Sequence, residues 1–133
     1  MSQGLKTALR LAELCLVAFT AYPLNAQEAT DHVALGIVAT EARDLGMAAQ
    51  HFEAALKQDP SNYEANWRAA LTLGLMGDPF PVAAKSAERD SLYVRAERYA
   101  QRAVAADPTG ADGHFALAAS LGRAALMAGP VWP

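Results

Sequence analysis

The stretch "HFEAALKQDPSNYEANWRAA", residues 51–70, shows how the chain is organised. It begins as an amphipathic run of good helix formers, stops at Asp59-Pro60 and then resumes a helical pattern that carries a tryptophan. Proline disfavours helix at the residue before it and lacks the N–H that the helical ladder needs. Ser61 or Asn62 can cap the helix that follows. The stretch therefore predicts two helices joined by a tight turn.

The same arrangement occurs a second time in the chain. Asp107-Pro108 closes the run "AERYAQRAVAADP", as the first Asp-Pro pair closes "AAQHFEAALKQDP". After each stop, apolar residues resume a helical period, with Thr109 as the second capping candidate. The repeating unit is helix, turn, helix, stop, which predicts an all-α fold.

The spacing of small residues within these runs resembles the tetratricopeptide repeat (TPR) family, with its A-x3-F-x2-A-x4-P pattern. In the second copy Ala100 replaces the aromatic residue, with Tyr99 just before it. The resemblance implies an antiparallel helix-pair solenoid, in which small residues let helices approach closely and Phe52 fills the gap. The repeat-defining residues are Leu35, Gly36, Ala48, Phe52, Ala55 and Pro60, followed by Ala96, Ala103 and Pro108.

The second repeat is longer than the family period. Pro60 and Pro108 are 48 residues apart, against 34 in the family, so about 14 residues are inserted. We place this insertion at residues 78–91, as a Pro-rich turn at 78–81 and the start of one extended helix from Val82 to Ala106. The alternative is a mobile loop over the groove. The repeats then span 29–62 and 63–110, followed by the first helix of an incomplete third repeat at 111–129 and a tail at 130–133.

A second resemblance covers residues 60–129, which are similar to bacterial TPR proteins related to the regulator of microtubule dynamics family. That family name implies a cytoskeletal partner in eukaryotes. An exported bacterial chain would meet no microtubules, so this activity is not carried over.

Residues 1–26 have the pattern of a secretory signal peptide. Lys6 and Arg10 precede a nine-residue apolar core, Leu14–Tyr22, and Ala26 offers a small residue before a cleavage site. This predicts an exported protein, periplasmic or extracellular, with no stable membrane insertion after cleavage; Cys15, the one cysteine, would leave with the peptide. The alternative is an ordinary amphipathic helix packed on the domain of a cytoplasmic protein.

The charge and motif content argues against several function classes. A net charge of -3 gives no positive field for nucleic acid. The three histidines, His32, His51 and His114, belong to no zinc or nucleophile motif, so we predict no enzyme activity, no catalytic residue, no metal and no cofactor. Arg95, Arg98 and Arg102 share a helical stripe. We interpret this stripe as a solvated outer face, with a site for a phosphate or an acidic tail as the alternative.

The TPR resemblance places partner binding on the concave face, formed by the first helix of each pair. Trp67, Leu71 and Leu75 lie at i, i+4 and i+8 and share one helical face. The clamp that holds a C-terminal carboxylate in some TPR domains is missing, because apolar residues occupy its positions. The alternative is that Trp67 and Phe115 belong to the core. The predicted binding residues are Val33, Ile37, Thr40, Glu41, Trp67, Leu71, Leu75, Phe115, Ala119 and Arg123.

The C-terminal helix is apolar nearly all round, since Ser120 and Arg123 are its two polar residues between Phe115 and Ala128. An uncovered helix of this kind predicts a longer repeat array or self-association; the third alternative is a tightly packed last helix. The sequence as a whole predicts a non-catalytic scaffold for a protein or peptide partner. The alternative is a structural accessory subunit whose apolar edge is permanently covered.

Overall fold

The computed structural model describes residues 30–80 and 86–129, and within them the fold is all-α. No strand occurs in these two ranges. This confirms the predicted fold class at the level of secondary structure. The five helices of these two ranges are α1 (His32–Glu41), α2 (Leu45–Gln58), α3 (Tyr63–Gly77), α4 (Ala87–Ala106) and α5 (Ala111–Ala128).

Four of the helices begin with a side-chain cap. Asp31, Asp44, Asn62 and Ser86 each accept a hydrogen bond from the backbone N–H three residues later, at 2.8–3.2 Å. Each cap satisfies one of the N–H groups that a helix start leaves without an intrahelical partner. Asn62 is thus the cap of α3, one of the two candidates predicted. The prediction of Thr109 as the cap of α5 is wrong, because the cap position is Gly110, which makes no side-chain hydrogen bond.

The two Asp-Pro pairs end α2 and α4 in the same way. Asp59 and Asp107 leave the helix with extended backbone angles, while their N–H groups still donate to Ala55 and Ala103. Each aspartate then accepts hydrogen bonds from the backbone N–H and the hydroxyl of the residue two positions on, which is Ser61 or Thr109. The polar residue after each proline therefore closes the turn.

The α1–α2 pair packs through the glycine and phenylalanine of the repeat pattern. Phe52 is 1% exposed. A Cβ atom on Gly36 would lie no more than 2.8 Å from three atoms of its ring. Leu35, the other member of the Leu-Gly pair, is 41% exposed, so the expected structural role falls on the glycine. The cluster around Phe52 consists of Ala39, Ala48, Ala55, Leu56, Ala65 and Ala69.

Tyr99, the residue before Ala100, packs widely in the core. Its side chain packs against three buried clusters, one around Phe52, one around Leu73 and Leu92, and one around Ala70 and Ala100. Neighbouring helices along the chain contact one another, and α3 also contacts α1 and α5.

The start of the longest described helix differs from the prediction. α4 begins at Ala87 and not at Val82, because Ser86 has extended backbone angles and caps it. At about 1.5 Å per residue, its 20 residues span about 30 Å. Asp78 and Pro79 form a turn after α3. The predicted signal peptide, the inserted residues 81–85 and the tail at 130–133 lie outside the described residues. Within the described ranges, no helix is both long and apolar enough to span a bilayer.

Candidate functional site

A groove opens between α1 and α3, and one face of α3 forms its floor. Its volume is about 140 Å³. We call it the α3 groove. It is lined by Thr40 of α1, Phe52 of α2, and Trp67, Arg68, Leu71, Thr72 and Leu75 of α3.

The floor of the α3 groove is half-buried because α3 is covered on its other sides. Trp67 and Leu71 pack on the cluster that includes Ala70 and Ala116, whereas Leu75 is exposed. The opposite side of α3 carries the buried Asn66, whose amide donates to the carbonyls of Pro60 and Asn62 at 3.0 and 2.8 Å. These bonds fix the turn that sets the direction of α3.

One cation lies at the edge of the groove. The Arg68 guanidinium carbon is 4.3 Å from the centroid of the Trp67 ring, which is the geometry of a cation–π contact. The Nε of Arg68 also donates to Glu64 at 2.8 Å. The charge of Arg68 is therefore partly balanced, and the groove surface is mainly apolar.

The α1 members of the predicted binding face divide into three environments. Val33 and Ile37 are partly buried against the Phe52 cluster. Thr40 lines the groove, and its hydroxyl donates to the Gly36 carbonyl at 2.8 Å. Glu41 is exposed at the end of α1.

Phe115 and Arg123 of α5 lie outside the residues that line the groove. Phe115 is 65% exposed. Arg123 forms a bidentate ion pair with Asp78, in which two guanidinium N–H groups donate to the carboxylate at 2.8 Å each. The Tyr93 hydroxyl donates to the same carboxylate at 3.0 Å. Arg123 therefore ties α5 to the turn after α3.

This network changes the acidity of its members. The Arg123 guanidinium holds the pKa of Asp78 below its usual range, and the hydrogen bond from Tyr93 adds to that effect. Burial raises the pKa of Tyr93, and the bond to the Asp78 carboxylate raises it further. A carboxylate whose pKa is lowered in this way is a weak base, so the Asp78 carboxylate is stabilised in its charged form.

Two polar contacts between helices were missed in the sequence because their partners are far apart along the chain. Glu53 of α2 accepts hydrogen bonds from Arg95 and Tyr99 of α4, so Arg95 is not a purely solvated residue. The Nδ1 atoms of His32 and His51 lie 3.1 Å apart. Arg98 and Arg102 are exposed, as predicted for a solvated face.

The described residues do not form a cluster of three or more metal-ligating side chains. No protein-family model, curated protein or solved structure matches the chain. The TPR resemblance therefore stays a prediction that rests on the residues themselves.

Proposed function

We propose that the chain is a TPR-like, non-catalytic scaffold outside the cytoplasm that binds an apolar peptide segment in the α3 groove. The observation that carries the proposal is that Trp67, Leu71 and Leu75 line the α3 groove from one helical face, with Leu75 exposed and the other two partly exposed. Tryptophan is enriched among the residues that dominate binding energy. The buried face of α3 keeps the groove in place, so little ordering is needed when a partner binds.

The packing of the two helix pairs supports a repeat architecture. In α1 and α2, Gly36 meets Phe52. In α3 and α4, Ala70 and Ala100 occupy the equivalent positions and share one buried cluster. The predicted repeat positions thus pack together in both helix pairs, and Tyr99 packs against the second of these clusters.

Peptide selection can test the groove. Peptides selected from a random library against the protein should bind the wild type and lose at least about tenfold in affinity in Trp67→Ala, a change of about 1.4 kcal/mol or more. Val94→Ala is the matched control, since Val94 is exposed on α4 and does not line the groove. Unchanged peptide affinity in Trp67→Ala, together with a stability loss of several kcal/mol, would assign Trp67 to the core alone.

A second candidate function is the structural accessory subunit, and the exposed face of α5 favours it. Ser120 is buried and donates to the Ala116 carbonyl, while Arg123 is held by Asp78. The exposed positions of α5 from 115 to 128 therefore carry no polar side chain. They are Phe115, Ala118, Leu121, Gly122, Ala125, Leu126 and Ala128.

The predicted repeat register supports one kind of contact for this face. Ala70 and Ala118 each follow an Asp-Pro pair at the same spacing. Ala70 is buried in one cluster with Ala100 of α4 and Ala116 of α5, whereas Ala118 is exposed. We propose that another helix covers Ala118 in the same way, from further repeats or from a second copy.

Sedimentation between about 1 and 100 µM tests the second-copy form of this proposal. We expect concentration-dependent self-association of the wild type, and monomers for Ala118→Arg, because a buried unpaired charge is costly. Val94→Arg adds the same charge on α4 and should leave self-association unchanged. A wild type that stays monomeric over this range contradicts pairing between copies.

A further inference from the structure

His32 and His51 form a contact that joins the start of α1 to the middle of α2. Their ring centroids are 5.4 Å apart with planes 30° from parallel, and their Nδ1 atoms are 3.1 Å apart. Because these nitrogens are much closer than the centroids, the rings face each other through their Nδ1 edges. The separation is that of a hydrogen bond.

The number of protons on the pair decides whether this bond exists. A neutral imidazole has one N–H and one bare nitrogen, while a charged imidazolium has two N–H groups. One facing nitrogen can therefore donate to the other when both rings are neutral, and also when one ring is charged. When both rings are charged, two N–H groups point at each other and two positive charges repel. The contact accepts one proton and is broken by a second.

α1 is held almost entirely by α2, so a change in the contacts between these two helices matters for its position. Gly36 and Ala39 are the buried residues of α1. Its contacts are mainly with α2 and to a small extent with α3. Among the residues that the structure describes, the histidine pair is the one side-chain hydrogen bond between α1 and α2.

The charged groups around the pair have partners of their own. Asp31, beside His32, accepts the N–H of Ala34. Glu53 of α2 is bonded to Arg95 and Tyr99 of α4. The remaining titratable groups of α1, of α2, of the turn between them and of the neighbouring helix α3 are Glu41, Arg43, Asp44, Lys57, Tyr63, Glu64 and Arg68.

We propose that the His32–His51 pair is an acid-sensitive latch that holds α1 on α2. Histidine is the side chain that most readily gains a proton on mild acidification. When acid adds the second proton to the pair, both rings are charged and α1 separates from α2. Thr40 then leaves the wall of the α3 groove. This last consequence rests on the proposed function, whereas the release of α1 does not.

NMR spectroscopy without any ligand tests the latch. Amide signals of Gly36 and Ala39 report α1, and imidazole ¹⁵N signals report the proton count between pH 8 and pH 4.5. In the wild type we expect the α1 signals to move to unfolded positions as both rings become charged, while α3 and α5 stay folded. His32→Asn cannot take up the second proton, so its α1 signals should not change with pH.

The control is His114→Asn, because His114 is exposed on α5 and its Nε2 lies 2.8 Å from the Pro108 carbonyl, away from the pair. This variant should keep the acid transition of α1. The proposal is overturned if His32→Asn shows the wild-type transition, or if α1 of the wild type stays folded with both rings charged. The NMR measurements are made without peptide, so their outcome does not depend on whether the α3 groove binds one.

Discussion

Removal of the Phe52 ring is the sharpest test of the packing described here. The ring is 1% exposed, and aromatic side chains of this kind bury about 150–250 Å². At about 25 cal/mol per Å², burial of the whole side chain corresponds to about 4–6 kcal/mol, part of which alanine retains. The surrounding residues are mostly alanines, whose single methyl groups cannot move in to fill the space. We expect Phe52→Ala to lower the free energy of unfolding by about 4 kcal/mol, within the range for such cavities.

Urea unfolding followed by far-UV circular dichroism measures this loss. Phe115→Ala removes the same ring from a position that is 65% exposed and should cost about 0.5 kcal/mol or less. If Phe52→Ala does not fold, Phe52→Leu keeps most of the volume and should show a smaller loss that can still be measured. Equal losses in Phe52→Ala and Phe115→Ala would refute the assignment of Phe52 as the centre of the α1–α2 pair.

Gly36→Ala and Gly122→Ala make the same change in two helix interiors and should differ in sign. Gly36→Ala should lower the free energy of unfolding by about 1–3 kcal/mol, since its Cβ would overlap the Phe52 ring. Gly122→Ala, with open space around it, should raise that free energy by about 1 kcal/mol. A gain in both variants would argue against close α1–α2 contact. Asp78→Asn should cost about 0.5–1 kcal/mol at pH 7, as loss of a partly exposed ion pair does. Because the folded state lowers the pKa of Asp78, its contribution to stability is present above about pH 4 and is lost as the pH falls through the lowered pKa. If the free energies of unfolding of the variant and the wild type differ by the same amount at pH 7 and pH 3, this reasoning is wrong.

The helices could be predicted from sequence wherever local chemistry decides them. Each Asp-Pro pair specifies a helix end by itself, and the Gly36 and Phe52 spacing specifies one helix contact. The start of α4 could not be predicted in this way. The sequence after Pro81 is compatible with helix, and Ser86 acts as the cap only in its extended conformation.

The polar contacts between helices depend on the assembled fold. Arg123 and Asp78 are 45 residues apart, and His32 and His51 are 19 apart. No local pattern links such partners, because helix rotation and register bring them together. Trp67, Leu71 and Leu75 could be placed on one face from their spacing alone, whereas the exposure of Phe115 required the packing of α5.

Tyr99 links helices that are not neighbours along the chain. Nearest-neighbour packing normally lets repeats unfold one after another from an end. Here one side chain contributes to three clusters at once, so its loss would weaken both helix pairs and their contact with α5 together. Removal of Tyr99 should therefore destabilise the described helices together, and an inserted or deleted helix pair would have to re-create that shared contact.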